Sequence, residues 1–555
     1  MANNHHHERS SGIGRFTSLA PGTLDDTPAD INVGVRKNVG VRPLGGKKQL
    51  QNYVTFEDAQ YEAGTGRYQW ILLIVCGMVN MACAISTTSI SFITPAAEVD
   101  FDLTSTSKGL LNGAPFLGML LGAYFWGICS DINGRRFVIL GSMGMDALFS
   151  IISCLIQHIV FFILVRIGNG FAIIGATCMI YVYLGEFLTA DKRDGYLLGL
   201  EIFWAIGMIV CPGVAMFVIP NKFLTWIPHP IFKFNSWRVF IFLSSLPSLL
   251  AFVLIYQFPE SPRYLMLKGR LNGSRHVLER VYEVNNKNTK KPYSVESFTQ
   301  TYSAIGFDSE NFGGMPFMMN LKMRLVALKN GHKLLFTDYF RNIFVTCTIE
   351  FCLMASYVTV LVWVPEIFSR YHDFFEHNPS KENEDINICI ASNWLLKNHH
   401  HMHDANSRVV SDDAYQAALI VALSTLIPVV AMGLLIKCIS KKILLWISCG
   451  VPIIASLSMT KTRTVFEAEF ICCWFEGFTT LVEPIIFCTM VELFPSNVRG
   501  VAFSLTVLMG RLGAVVGICI FGILIDINCF ATFYLLATLL SIAFLAIIFL
   551  PKLKI

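Results

Sequence analysis

Twelve apolar runs constrain this chain more than any motif it carries. They lie at roughly 69–92, 110–130, 137–157, 159–184, 195–219, 238–257, 342–365, 414–437, 442–460, 465–491, 500–525 and 529–550. Each is close to the ~20 apolar residues that cross a bilayer. Hydrocarbon offers backbone N–H and C=O groups no partner, so each run must form a helix. The expected fold class is an all-α membrane protein with twelve transmembrane helices. Composition agrees: 54% of the 555 residues are hydrophobic and 15% are charged, against about 25% charged in a soluble domain.

Composition also excludes several functions. A net charge of +4 with no basic block gives no electrostatic footprint for nucleic acid. The sequence has no Walker A phosphate loop and no arguable catalytic triad, so neither an enzyme, a catalytic residue, a cofactor nor a resident metal is expected. The adjacent His5, His6 and His7 lie in a polar stretch without periodicity. His399, His400, His401 and His403, with His372 and His377, suggest titration in an acidic lumen rather than a metal site. Most of the sixteen cysteines, Cys76, Cys83 and Cys154 among them, sit inside apolar runs as small apolar residues. Cys389 lies in a polar loop with no partner nearby in sequence, so no structural disulfide is required.

Basic residues orient the runs. Arg135 and Arg136, Lys192 and Arg193, Lys437, Lys441 and Lys442, Arg499, and Lys552 and Lys554 fall on alternate loops. That side is read as cytosolic, with both termini on it; Lys461 and Arg463 run against the rule. The expected organisation is a disordered cytosolic tail at 1–66, a six-helix bundle at 67–257 and a cytosolic loop at 258–341. A second bundle at 342–550 follows, with a luminal loop at 366–413, and 551–555 is a short cytosolic end. Within 258–341, the stretch 264–285 has the spacing of an amphipathic helix.

The sharpest short signal is Gly127-Ile-Cys-Ser-Asp131-Ile-Asn-Gly134-Arg135-Arg136, between the second and third runs. A link this short and charged must turn at a membrane face. Gly127 allows close helix contact, and Gly134 supplies a turn free of Cβ constraints. Asp131 can bond a helix N-terminus or pair with an arginine. The two halves of the chain also repeat. Glu186 and Arg193 follow the fourth run, Glu492 and Arg499 follow the tenth, and each pair is offset by 306 residues. The same offset carries Gly127, Asp131, Arg135 and Arg136 onto Gly433, Lys437, Lys441 and Lys442. Two loops in one register point to a duplicated six-helix unit, an arrangement in which solute binds at the midplane between the repeats.

The spacing Gly-x-x-x-Asp-x-x-Gly-Arg-Arg resembles the loop 2–3 signature of the major facilitator superfamily, where it forms a latch. Ser236-Trp237-Arg238 and Pro259-Glu260-Ser261-Pro262-Arg263 resemble its sugar and organic ion branches. With Arg67-Tyr68-Gln69-Trp70, Pro95-Ala96-Ala97-Glu98 and Phe203-Trp204-Ala205-Ile206-Gly207, the chain from about 66 to 550 resembles the synaptic vesicle glycoprotein 2 family. That family has two acidic residues in the first span, where Cys83 and Ser86 stand here, and a large glycosylated luminal loop, which here spans only about 366–413. The resemblance implies a secondary active transporter of a small organic solute, an anionic one among the options, working by alternating access. The alternative is a non-transporting membrane protein acting as receptor or adaptor in vesicle trafficking, with vesicle-associated protein partners. The expected location is a synaptic or other vesicle membrane, or the plasma membrane.

Ionisable residues inside spans are costly and mark candidate sites. Arg166 in the fourth run, Glu483 in the tenth and Arg511 in the eleventh are candidates for solute binding, with Trp204 and Tyr183 as an aromatic wall. Arg511 points to an anionic group, with Glu483 as its partner or a proton exchanger. Glu201 and Glu350 are further intramembrane carboxylates, and Asp146 reads as a local hydrogen-bonding residue. The gating set is Gly127, Asp131, Gly134, Arg135, Arg136, Glu186, Arg193, Glu492 and Arg499, whose ion pairs across the cytosolic face are expected to break when the halves rock.

Overall fold

The computed structural model describes residues 53–221, 234–287, 292–295, 297–298, 317–378, 386–402, 412–435 and 439–551. The His5–His7 stretch, Lys437, His403 and the last four residues of 551–555 lie outside them. Twelve helices have the length and apolarity to cross a membrane. They are α1 (Arg67–Ala96), α2 (Ser105–Asn133), α3 (Arg135–Leu155), α4 (Ile159–Gly185), α5 (Ala190–Val218), α6 (Ser236–Tyr256), α7 (Phe340–His377), α8 (Asp412–Leu435), α9 (Lys441–Met459), α10 (Val465–Thr479 continued by Val482–Leu493), α11 (Ser496–Ile527) and α12 (Cys529–Ala546). Exposed Leu121, Phe137, Leu148, Phe161, Val253 and Ile454 belong to the outer surface that lipid would cover.

Helix ends follow local chemistry. The Thr104 and Thr464 hydroxyls accept the backbone N–H of Ser107 and Glu467, and the Asn528 side chain accepts that of Ala531. These caps satisfy N–H groups that a helix start leaves unpaired. The break in α10 at Thr480–Leu481 precedes Pro484, which has no N–H to return to the carbonyl one turn back.

The packing repeats as the sequence does. In the first half α1 packs on α5 and α6, α2 on α4, and α3 on α4 and α6. In the second half α7 packs on α11 and α12, α8 on α10, and α9 on α10 and α12. Adding six to each helix number in the first set gives the second. The halves meet through α2 against α11, α5 against α8, and α1 against α7.

Three expectations change. Within the expected tail, Tyr53–Val54 pairs as a short parallel strand with Ser297–Phe298, and Phe56–Ala63 is a helix. That helix is held by Tyr293, whose hydroxyl donates to the Ala59 carbonyl at 2.8 Å, and Asn285 ties the start of α1 to the helix Leu271–Asn285. The 366–413 stretch is largely helical, because α7 runs on to His377 and a further helix spans Ile388–Met402. Cys389 is disulfide-bonded to Cys529 across 140 residues of sequence, pinning that helix to the start of α12. Sequence distance hid this partner; the topology brings it close.

A cross-link closing so long a loop stabilises by roughly 3–5 kcal/mol. Cys389→Ser and Cys529→Ser are each expected to lower the melting temperature, and reductant to lower the wild type to the same value. A wild-type melting curve unmoved by reductant would show that the link carries no stability.

Candidate functional site

Asp146 organises the core of the first half. Ser86 of α1, Asn169 of α4 and Ser248 of α6 donate to its carboxylate at 2.8, 2.5 and 2.5 Å. Asn169 also donates to Ser150 at 3.1 Å. Asp146 is therefore more than a local hydrogen-bonding residue, since it joins four helices. Ser86, in the place of a first-span acid, reaches a carboxylate supplied by α3 instead.

The α2/α3 turn is built around Glu260. Gly134 has φ of +107°, and a Cβ there would stand 2.3 Å from a Glu260 carboxylate oxygen. Glu260 Oε1 accepts the backbone N–H groups of Arg135 and Arg136 at 3.1 and 3.0 Å, placing an anion at the N-terminus of α3. That capping role, expected as an option for Asp131, falls to the Glu of the Pro-Glu-Ser-Pro-Arg motif. Asp131 pairs with Arg135 at 3.4 Å. Arg136 donates to the Tyr256 carbonyl at 2.6 Å. Gly127 does not mediate close helix contact, because a Cβ there would meet open space.

The charges at this face follow the repeat. Arg135 pairs with Glu186 at 3.3 Å, and Lys441 pairs with Glu492; the partners are 51 residues apart in both cases. Arg193 donates to the Leu188 carbonyl and Arg499 to the Phe494 carbonyl, each five residues back. All four contacts map onto one another at the 306-residue offset. Each of these contacts stays within its own half.

The ties between halves gather at the opposite face, where α1 meets α2. Lys108 of α2, 2% exposed, binds Glu98 at 2.9 Å and Glu366 of α7 at 2.5 Å. Arg370, one turn beyond Glu366, binds it at 3.0 Å and donates to Ser105 of α2 at 2.7 Å. Asp526 of α11 accepts from Ser105 at 2.8 Å and from Arg370 at 3.3 Å. Gly109 and Gly522 let α2 and α11 cross here at backbone distance; a Cβ on Gly522 would stand 3.0 Å from the Gly109 Cα. Lys108–Glu366, Arg370–Ser105, Ser105–Asp526 and Cys519–Gly109 tie the two bundles at this end, while toward the other face Tyr124 of α2 meets His332 of the helix Phe317–Asp338 at 3.1 Å.

Between the two faces lies a charged layer drawn from both halves. Glu483 of α10 and Arg511 of α11 are 3.7 Å apart and partly exposed, at 28% and 13% of their side chains. Glu350 of α7 faces both. From the first half, Tyr181 of α4 donates to Glu201 of α5 at 3.0 Å and is itself bonded by Asn80 of α1 at 3.0 Å. Glu201 faces Glu483 across the boundary. Trp204, half-buried, stands one turn from Glu201 on the same face of α5.

Of the expected solute-binding residues, Trp204, Glu483 and Arg511 belong to this layer. Tyr183 does not: it is fully buried and donates to the Pro259 carbonyl at 2.6 Å. Tyr181, two residues earlier, meets the layer instead, since residues two apart on a helix face different ways. Arg166 is buried elsewhere on α4, over the Phe162 ring at 5.2 Å. The Lys108, Glu366, Arg370 and Asp526 cluster escaped sequence reading, though the i, i+4 spacing of Glu366 and Arg370 was visible and argued for more helix at that point.

The motif entering α6 also acquires a structural account. Asp100 accepts from the Asn235 amide and from the Trp237 indole at 2.7 Å. Arg238 caps the C-terminus of α3 through the Cys154 and Ile156 carbonyls at 3.1 and 2.5 Å.

Comparison with known proteins agrees with this architecture. The model of the "Sugar (and other) transporter" family matches residues 53–371. Human synaptic vesicle glycoprotein 2B is 28% identical over 399 residues, covering 69% of this chain and 56% of that protein. Bovine synaptic vesicle glycoprotein 2A is 33% identical over 275 residues, covering 48% and 37%. The chain thus spans about half the length of the curated relatives it matches. The inward-open structure of the xylose transporter XylE from E. coli superposes with a TM-score of 0.60 at 16% identity, covering 88% of this chain and 97% of that one. A partially occluded inward-open form of the same protein gives 0.58 at 15% identity, covering 86% and 96%. With twelve apolar helices in the major facilitator fold, this multi-pass membrane protein is not an enzyme; it belongs to the sugar (and other) transporter family and resembles the synaptic vesicle glycoprotein 2 branch.

Proposed function

We propose that the chain moves a small organic solute across its membrane by alternating access, and that the structure is the state closed toward the lumen. The observation that carries this reading is the distribution of ties: buried ionic contacts lock the halves at the α1/α2 face, while the latch charges at the α2/α3 face pair within each half. A latch that holds the opposite state has to release its cross-half pairs in this one. Inward-open forms of a distant structural relative support it. The positive-inside pattern supports a cytosolic α2/α3 face with cytosolic termini, and the Cys389–Cys529 disulfide supports an oxidising compartment at the other. Likeness to synaptic vesicle glycoproteins favours a vesicle membrane.

The solute site in this proposal is the charged layer of Glu201, Trp204, Glu350, Glu483 and Arg511. Arg511 alone favours an anion, but three carboxylates share the layer with one guanidinium. That balance favours a solute bearing a cationic group, with Arg511 holding Glu483 in place. Partial exposure lets water hydrate these charges, so Arg511→Ala and Glu483→Ala are expected to fold and express. A cationic solute that stabilises the wild type at about a hundred times its Kd contributes roughly 2.7 kcal/mol. Thermal shift is expected to lose that gain in Glu483→Ala; stabilisation by anionic solutes only, lost in Arg511→Ala, would reverse the charge assignment.

The luminal lock gives a second expectation. Glu366→Gln removes the anion that Lys108 and Arg370 share across the boundary and leaves each with one carboxylate, Glu98 and Asp526, a loss of roughly 1.5–3 kcal/mol in the closed state. At 1.4 kcal/mol per factor of ten, the open population rises at least tenfold. Hydrogen exchange of the 105–112 and 519–527 amides is expected to accelerate accordingly, with exchange at the α2/α3 turn unchanged. Unchanged exchange in 105–112 and 519–527 would remove the cluster from gating.

A further inference from the structure

We propose that Glu476 is a proton-binding site that the transport cycle opens to the luminal face and then seals. Glu476 sits in the first segment of α10, fully buried, and neither carboxylate oxygen has a hydrogen-bond partner in the protein. Other carboxylates of the spans have a donor or an opposite charge: Asp146 three donors, Glu201 Tyr181, Glu366 Lys108 and Arg370, Glu483 Arg511; Glu350 has one oxygen without a hydrogen bond, but Arg511 faces it. The groups that face Glu476 are Tyr357 on α7, with Cys472 and Cys473 on its own helix. No Lys, Arg or His faces it from α1, α5, α7, α8 or α9 among the described residues.

The carboxyl borders a cavity of about 20 Å³, room for a single water. Its walls come from both halves: Thr88 and Ser91 of α1, Met208 and Pro212 of α5, Thr425 of α8. The three hydroxyls are committed elsewhere. Thr88 donates to the Ala84 carbonyl, Ser91 to that of Thr88 and Thr425 to that of Ala422. An ionised carboxylate in so dry a place costs far more than its surroundings return, and such a group is accommodated as the neutral acid. A proton must therefore accompany Glu476 into this state.

The position of the cavity supplies the route. Glu476 is seven residues before Glu483, about 10 Å nearer the luminal end of α10. It lies between the luminal lock and the charged layer, on the seam between the halves. Parting of the halves at the luminal face separates the cavity walls and lets water in. There the carboxylate accepts a proton from hydronium, forming an O–H bond and releasing water. Closure expels the water and retains the acid. Tyr357 faces Glu476, Glu483 and Glu201 together, and so lies on the way to the charged layer.

This inference rests on alternating access, and two readouts keep the two apart. The first is infrared spectroscopy of the lipid-reconstituted protein at neutral pH. The wild type minus Glu476→Gln difference is expected to show a protonated-carboxyl C=O band at the high-frequency end of its range. Absence of that band overturns the proposal without touching alternating access. The second readout is labelling of the native Cys519, beside Gly109 on the seam, by a membrane-impermeant maleimide from the luminal side, quantified by mass spectrometry. The sealed state holds the proton, so raising luminal pH must favour the open state. The labelling ratio of wild type to Glu476→Gln at each pH, which cancels the reagent's own pH dependence, is expected to rise tenfold or more from pH 6 to 8.5. Glu476→Leu, which needs no hydrogen bonds, is expected to match Glu476→Gln and covers the case where the amide fails to fold. A flat ratio overturns the proton site. Cys519 that is never labelled from the lumen, at any pH and in every variant, overturns the alternating-access reading beneath it.

Discussion

A bilayer does not hydrate what a helix buries, and the arrangement of polar groups in this protein follows from that. Each charge inside the spans must find its answer within the protein. Asp146 draws donors from three other helices, so the first half coheres around one carboxylate. Arg238 meets the same demand at a helix end, saturating carbonyls that α3 leaves open. Lys108 and Arg370 meet it across the boundary between halves, through a shared Glu366. The first two cases concern a single bundle and hold in any state. The third depends on how the bundles are docked, which is why it can serve as a lock.

Duplication explains how one set of rules serves both bundles. The neighbour pattern of the first six helices recurs in the second six, and the contacts Arg135–Glu186 and Arg193–Leu188 recur as Lys441–Glu492 and Arg499–Phe494. Where the copies diverge, each has specialised. The first half carries Asp146 and the Glu260 cap, while the second carries the broken α10 with Glu476 and Glu483 on either side of the break. Among the described residues, Glu483 has a cation within reach and Glu476 has none. Two carboxylates seven residues apart on one helix thus stand in unlike surroundings, one wet and paired, the other dry and alone.

The expectations that failed share a cause. Cys389 lacked a partner only in sequence; 140 residues of chain return Cys529 to it. Tyr183 and Tyr181 are equally aromatic and equally intramembrane, and only the rotation of α4 about its axis decides which one meets Glu201. Asp131 and Glu260 could each cap α3, and the path of the chain out of α6 gave that place to Glu260. In each case composition named the residue types, and a long-range contact chose between them.

What the sequence determined by itself is whatever depends on local solvation and register. Apolar runs of about twenty residues must become membrane helices. The 306-residue offset must become a structural repeat, because two stretches in one register fold to one pattern. Only the tertiary structure decided which charges share a layer, which lock the halves and which stand alone. Those outcomes depend on helix rotation and on the docking of one bundle against the other. A one-dimensional pattern does not encode either, because residues such as Lys108 and Glu366, 258 positions apart, acquire a common environment only when the chain has closed on itself.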